Sequence, residues 1–221
     1  MKKIGVISDT HGKLREEVRQ ILADCDMILH AGDIDTYKVL EELKKIAPLY
    51  VVRGNADTQW AADIPKSLHV QVQGLHFFVI HNKDEIHEDI SNADIVIYGH
   101  SHIYEEKSRK NQVWLNPGSC GPGRFFLPVT MAVIEVKDDG TFQITQKNIA
   151  EAKSTHLESL KTKNNADLNK IIHFIMRDID KGVQVEKIAK KYGIMEEDVD
   201  RVCRMYLTHP GIDVDGVLNR L

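Results

Sequence analysis

The chain has 221 residues, 42% of them hydrophobic and 28% charged, a composition that can bury a core and excludes wholesale disorder. Lys plus Arg number 29 against 33 Asp plus Glu, a net charge of −4, so the molecule lacks the strong positive field that favours non-specific nucleic-acid binding, and any anion must be attracted locally. The length fits one domain with an appendage, or two small domains, and excludes a large multidomain machine.

Strand-like runs are predicted at Lys3–Ser8, Met27–His30, Leu49–Arg53, Leu68–Val72, Leu75–His81, Ile95–Tyr98, Gln112–Leu115, Met131–Val136 and Phe142–Gln146. Several are continuous apolar stretches, as expected of strands buried on both faces. Helical spacing separates the first three, at Leu14–Leu22 and Tyr37–Ile46, so the chain opens β-α-β-α-β, the pattern of parallel strands joined by helical crossovers. Hairpins are expected around Gln73-Gly74 and around Asp138-Asp139-Gly140. The expected fold is α/β, a layered domain over residues 1–150.

Residues 151–166 turn polar and read as a linker. Residues 167–221 then read as a small helical domain: Leu168, Ile171, Ile172, Ile175 and Ile179 form one apolar stripe ending at Gly182, and shorter helices follow at Val185–Tyr192, Glu196–Leu207 and Val214–Leu221. The pair around Gly193 has helix-turn-helix spacing. Its second helix opens with Glu196-Glu197-Asp198, which phosphate repels, and residues 161–221 carry a balance of only +1. An oligomerisation or lid-like module is therefore favoured over a nucleic-acid reader. The apolar run at Ile4–Ile7 is shorter than the roughly 7–15 residues of a secretory leader, and no stretch approaches the ~20 apolar residues that span a bilayer. Three scattered cysteines, Cys25, Cys120 and Cys203, suit neither a disulfide framework nor a Cys-rich zinc site. A cytoplasmic location without membrane contact is expected.

Histidine is the anomaly, with eleven against six Phe and six Tyr. The strand ends give, in order, Asp9-Thr10-His11, Gly32-Asp33, Gly54-Asn55, His81 and Gly99-His100-Ser101-His102. In open α/β sheets, ligand sites form outside the carboxyl ends of the strands, where residues distant in sequence converge. The Asp-x-His and His-x-His spacings let alternate side chains address one ion, and the glycines permit close backbone approach. Singly, each element is weak: Asp9-x-His11 reads as a solvated turn, His81 as a satisfied strand-end histidine, Asn55 as a turn residue. Together, the mixed imidazole and carboxylate donors suit Mn, Fe, Zn or Ni rather than Ca.

This ordered set resembles that of the calcineurin-like metallophosphoesterases, whose pattern runs D-x-H, G-D, G-N-x-D/E, a lone His, then G-H-x-H. Leu29-His30-Ala31-Gly32-Asp33 and Asn116-Pro117-Gly118-Ser119 are similar to the small bacterial and archaeal phosphodiesterase branch. The resemblance covers about residues 1–150. It implies a four-layer αββα sandwich of two mixed β-sheets and two divalent ions, Mn2+ foremost. Asp9, His11, Asp33 and His102 would hold one ion, and Asp33, Asn55, His81 and His100 the other, with Asp33 bridging. Two cations need such an anion between them, and together they supply a hydroxide from water and stabilise an in-line displacement at phosphorus.

Phosphodiester hydrolysis is the implied activity, with Asp33, Asn55, Asp57 and His81 at its centre and a nucleotide among the candidate substrates. Two alternatives remain: a non-catalytic scaffold on the same fold, as in the retromer scaffold subunit, and a nucleic-acid-binding regulator acting through the C-terminal helices. A homo-oligomer is expected. Many members of the family carry His directly after G-N, whereas this chain has Ala56, which donates no proton and shifts the expectation from monoesters of poor alcohols towards activated diesters. Asn82 replaces a frequent Gly. Asp57 is expected to orient a ligand histidine, with a similar role or simple burial for His30. Arg124, on its glycine-rich loop, has two readings: simple exposure, which is favoured, and a bidentate contact to substrate phosphate.

Overall fold

The computed structural model describes residues 1–122, 127–150, 157, 165–209 and 211–221. They divide into two compact units, Met1–Gly123 with Val129–Glu151, and Arg124–Pro128 with Ala152–Leu221.

The first unit contains two mixed five-stranded sheets. Strands β1 (Lys2–Ile7), β2 (Met27–His30), β3 (Leu49–Val51), β9 (Val129–Val136) and β10 (Phe142–Ala150) make the first sheet, in the order β10-β9-β1-β2-β3. Strands β4 (Ser67–Val72), β5 (Leu75–Ile80), β6 (Ile95–Ile97), β7 (Tyr104–Arg109) and β8 (Gln112–Pro117) make the second, in the order β4-β5-β6-β8-β7. Helices α1 (Glu16–Ala23) and α2 (Tyr37–Lys44) are the crossovers that keep β1, β2 and β3 parallel. In the second sheet β5, β6 and β8 are parallel, and β4 and β7 pair antiparallel at the edges.

Strand alternation divides the core. Ile4, Val6 and Leu29 of the first sheet meet Phe77, Val79, Ile95 and Leu115 of the second in one cluster between the sheets. Ile7 and Ile28 face the other way, against Val18 and Leu22 of α1 and Leu40 and Leu43 of α2. Phe78, Ile80 and Val96 cover the outer face of the second sheet together with Ile86 and Ile90, beside a single helical turn, Lys83–Glu85. This is the expected sandwich of two mixed sheets with helices outside. Both predicted hairpins form, the first with Gln73 and Gly74 at positive φ of 50° and 85°, as a two-residue turn between twisted strands requires.

One strand was not expected from the sequence. β7 reads Tyr-Glu-Glu-Lys-Ser-Arg and has no apolar alternation. Its place at a sheet edge explains this, since charged side chains on an edge discourage pairing with other chains. The hydrogen bonds of β8 hold it in register, from Tyr104↔Pro117 to Arg109↔Gln112.

In the second unit, α3 (Asn165–Asp180), α4 (Val185–Tyr192), α5 (Glu196–Thr208) and α6 (Val214–Leu218) are helical. Leu168, Ile171, Ile172 and Ile175 are buried, and Gly182 and Gly193 take positive φ after α3 and α4, as helix ends favour. Asp178 is buried, yet it accepts from Lys191 Nζ and Tyr192 Oη, each at 2.6 Å. Most of the expected linker at 151–166 lies outside the described residues, as do Arg124 and Pro210. No helix among the described residues is long and apolar enough to cross a membrane.

Candidate metal centre

Each proposed donor follows the carboxyl end of a parallel strand: Asp9 and His11 after β1, Asp33 after β2, Asn55 after β3, His81 after β5, and His100 and His102 after β6. Backbone bonds fasten the first two loops, Asp9 N to Gly32 O at 2.9 Å and His11 N to Asp33 O at 3.1 Å. The loops also depend on glycine. A Cβ on Gly32 would lie 2.8 Å from Nδ1 of His81, and one on Gly54 or Gly99 would overlap Asp33 or Ser8.

Asp9, His11, Asp33, His100 and His102 all have positive φ, between 43° and 68°. Non-glycine residues rarely adopt this region, and such strain gathers at functional sites. The Asn116-Pro117-Gly118-Ser119 segment braces the arrangement. Asn116 Nδ2 donates to Gly99 O at 2.7 Å, and Ser119 Oγ donates to Asp9 O at 2.8 Å.

One ligand atom from each of Asp9, His11, Asp33 and His102 lies within 4.8 Å of the others. Nε2 of His11 and Nε2 of His102 are 3.4 Å apart on stacked rings, and the His102 atom is 3.2 Å from Oδ1 of Asp9. Asp9 is fully buried, and neither of its carboxylate oxygens has a hydrogen-bond partner among the described residues. Burial pushes its carboxyl up to about 6, against the opposing pull of His81. Isolated buried carboxylates are costly and are ordinarily paired or bound to metal.

A second set adjoins the first through Asp33. Its Oδ2 lies 3.3 Å from Nε2 of His81 and 3.9 Å from Nε2 of His11. Oδ1 of Asn55 is 3.1 Å from the same His81 nitrogen and 2.8 Å from Nδ1 of His100. His81 Nδ1 donates to Ala31 O at 2.7 Å, so the neutral ring directs a bare Nε2 at two oxygens. Three lone-pair-bearing atoms then face one another and call for a proton or a cation between them. Although burial opposes it, the hydrogen bond and charge of His81 and the Ala56 amide hold Asp33 down at about 2. Burial likewise opposes protonation of His81, but Asp33 and Asp9 outweigh it and raise that imidazole.

Thus the structure brings Asp9, His11, Asp33, Asn55, His81, His100 and His102 together, and their donor chemistry fits divalent ions. Asp57 has a different task from the one expected. Its Oδ1 accepts from Ile34 N and Asp35 N and its Oδ2 from Gly54 N, all at 2.8 Å, so it clamps two loops and orients no histidine among the described residues. His30 is buried and satisfied on both nitrogens, by Thr10 Oγ1 at 3.0 Å and by the Gly32 amide at 3.1 Å. Burial brings its pKa down to about 3, which keeps it neutral. The residue that does orient a ligand is Asp35, absent from the sequence expectations, whose Oδ2 is 3.1 Å from Nδ1 of His11. Its position two after Asp33 was the available signal.

A family model described as the calcineurin-like phosphoesterase superfamily domain matches residues 1–139. The chain belongs to that superfamily. A protein named probable metallophosphoesterase from Methanothermobacter thermautotrophicus is 32% identical over 144 residues, spanning 59% of this chain and 84% of that protein. A phosphodiesterase of Methanocaldococcus jannaschii is 28% identical over 142 residues, spanning 53% and 84%. Among solved structures, Vps29 of Chaetomium thermophilum aligns with a TM-score of 0.55 at 17% identity, covering 67% of this chain and 97% of that one. That likeness supports the fold of the phosphoesterase unit and nothing more specific.

Proposed function

We propose that the protein is a metal-dependent phosphodiesterase of the cytoplasm, working with two divalent ions, Mn2+ foremost. One observation carries the reading: among the described residues the buried Asp9 carboxylate has no hydrogen-bond partner, and it is ringed by His11, Asp33 and His102. Asp9, His11, Asp33 and His102 would hold one ion, and Asp33, Asn55, His81 and His100 the other. When bound, the ions supply a nucleophile from water near neutral pH and positive charge for the equatorial oxygens at phosphorus.

The chain's own residues do the positioning. Asp35 directs Nε2 of His11 inward, and the Ala31 carbonyl does the same for His81. The Ala56 amide fixes Oδ1 of Asp33 at 2.8 Å, leaving Oδ2 between the two histidine sets. In the reaction a water oxygen bonds to phosphorus, the ester P–O bond breaks, and the leaving arm departs as an alcohol with the proton from water. Ala56 offers no acid for that proton, which favours diesters with good leaving groups. The complete donor set speaks against a non-catalytic scaffold. The acidic start of α5 speaks against nucleic-acid reading, and its Asp198 is buried on the Leu157 amide at 2.9 Å.

Hydrolysis of bis-p-nitrophenyl phosphate with added Mn2+, Ni2+ or Zn2+ tests the proposal. Activity that requires metal and is lost in Asp33→Asn is expected; metal-independent or absent hydrolysis refutes it.

A further inference from the structure

Next to the donor cluster, within the same unit, lies a cavity of about 230 Å3 whose lining includes Arg53, Lys66, Asn55, His81, Asn82 and Glu85. Asn55 and His81 therefore face both the cluster and the cavity. Arg53 follows β3 at the edge of the first sheet, and Lys66 precedes β4 at the edge of the second. A hydrogen bond from Arg53 N to Pro65 O at 2.9 Å pins the two segments side by side. This brings two cations from different sheets to one wall.

Neither Arg53 nor Lys66 has an ion-pair partner among the described residues. The cavity's one acid, Glu85, has Asn82 Nδ2 at 3.5 Å from its Oε1. The lining thus has a net positive charge beside a site built for a phosphoryl group. Its volume lies under the roughly 300 Å3 at which pockets begin to take whole drug-sized ligands, so it suits one substituent of a substrate. A guanidinium grips phosphate oxygens with two parallel bonds, and an ammonium adds a mobile point charge. A neutral ester arm would use neither.

We propose that this cavity is a subsite for a second phosphate, making the preferred substrate a phosphodiester with one arm that itself carries a phosphomonoester. The inference rests on the phosphodiesterase reading and specifies its substrate class. Arg53 and Lys66 bind the extra dianion, while Asn55 and His81 mark the side of the cluster on which that arm lies.

Two matched substrates test it: the p-nitrophenyl ester of thymidine 5′-phosphate, and the same ester with a 3′-phosphate. They share the reacting centre and leaving group and differ by one dianion. The expected preference in kcat/KM is at least about tenfold for the phosphorylated ester, carried mainly by KM. That ratio falls towards one in Lys66→Ala and below one in Lys66→Glu; Lys66 is exposed, so neither change disturbs a core. A wild-type ratio near one, or an unchanged ratio in Lys66→Glu, overturns the subsite.

If neither ester is cleaved with Mn2+, Ni2+ or Zn2+, the phosphodiesterase reading fails on its own. The subsite is then decided by calorimetry with thymidine 3′,5′-bisphosphate against thymidine 5′-phosphate. Tighter binding of the bisphosphate that Lys66→Glu abolishes sustains it, and equal binding overturns it.

Discussion

Asp9 and Asp178 are both buried aspartates, one in the phosphoesterase unit and one in the helical unit. Asp178 is surrounded by donors: Lys191 Nζ and Tyr192 Oη at 2.6 Å, with Arg177 Nε at 3.7 Å and Lys181 Nζ at 3.9 Å. Burial alone would raise its pKa, but Lys191 and Tyr192 reverse the direction and lower it. Asp9 has no hydrogen-bond partner among the described residues and is pushed up. The same side chain is thus a structural anchor where an ammonium and a hydroxyl close on it, and a site where histidines and a second carboxylate surround it.

Several experiments can break or sharpen that contrast. The largest expected effect is on catalysis: Asp9→Asn should lower metal-stimulated hydrolysis of bis-p-nitrophenyl phosphate by about 10³-fold, roughly 4 kcal/mol of transition-state stabilisation. The same variant should melt higher than wild type when both are metal-free, because an uncompensated buried charge has been removed. A lower metal-free melting temperature would show that Asp9 is satisfied in a way its surroundings do not reveal.

Asp178→Asn should cost the helical unit about 3 kcal/mol in chemical denaturation, since two charge-assisted hydrogen bonds weaken together. A loss under 0.5 kcal/mol would remove Asp178 as an anchor. Mn2+ at about 100 times its dissociation constant should stabilise the wild type by about 2.7 kcal/mol, read as a rise in melting temperature, and Asp9→Asn by far less. Equal gains would place the ion elsewhere.

Asp35→Asn should weaken metal binding by about 10- to 100-fold in a chelator competition, the usual loss when a ligand histidine loses its orienting carboxylate. The smallest effect concerns Glu105, which contacts Lys107 and accepts from Tyr98 Oη at 2.5 Å. Burial would raise its pKa, yet Lys107, Tyr98 and Lys83 hold it down at about 2. A depressed carboxyl stabilises the fold above its ordinary value of 4.5, and that contribution fades as pH falls from there through 2. Glu105→Gln should therefore cost about 1 kcal/mol at pH 7 and less at pH 3, by denaturant unfolding at the two pH values. A cost that does not change with pH would assign the effect to packing.

The sandwich of two sheets came from the family resemblance; the sequence alone carried a layered α/β domain because its central strands are apolar runs ending in Gly, Asp, Asn and His, whose parallel order places those ends together. It missed β7, because an edge strand is selected for charge and carries little alternation. It also gave Asp57 the orienting part that Asp35 plays. Both are acids beside donor residues, and only the fold decides which one meets an imidazole and which meets backbone amides. Arg53 and Lys66 escaped notice for a related reason: they are thirteen positions apart, and the bond between Arg53 and Pro65 that joins their segments leaves no mark in composition or spacing.

The left-handed backbone at five donor positions limits how this centre could be transplanted. Copying the seven side chains onto another scaffold would reproduce the inventory without the tight loops that aim it, and ordinary right-handed turns would point the same groups apart. Anyone grafting the centre would have to carry the loop conformations, with the glycines that make room for them, as one inseparable part.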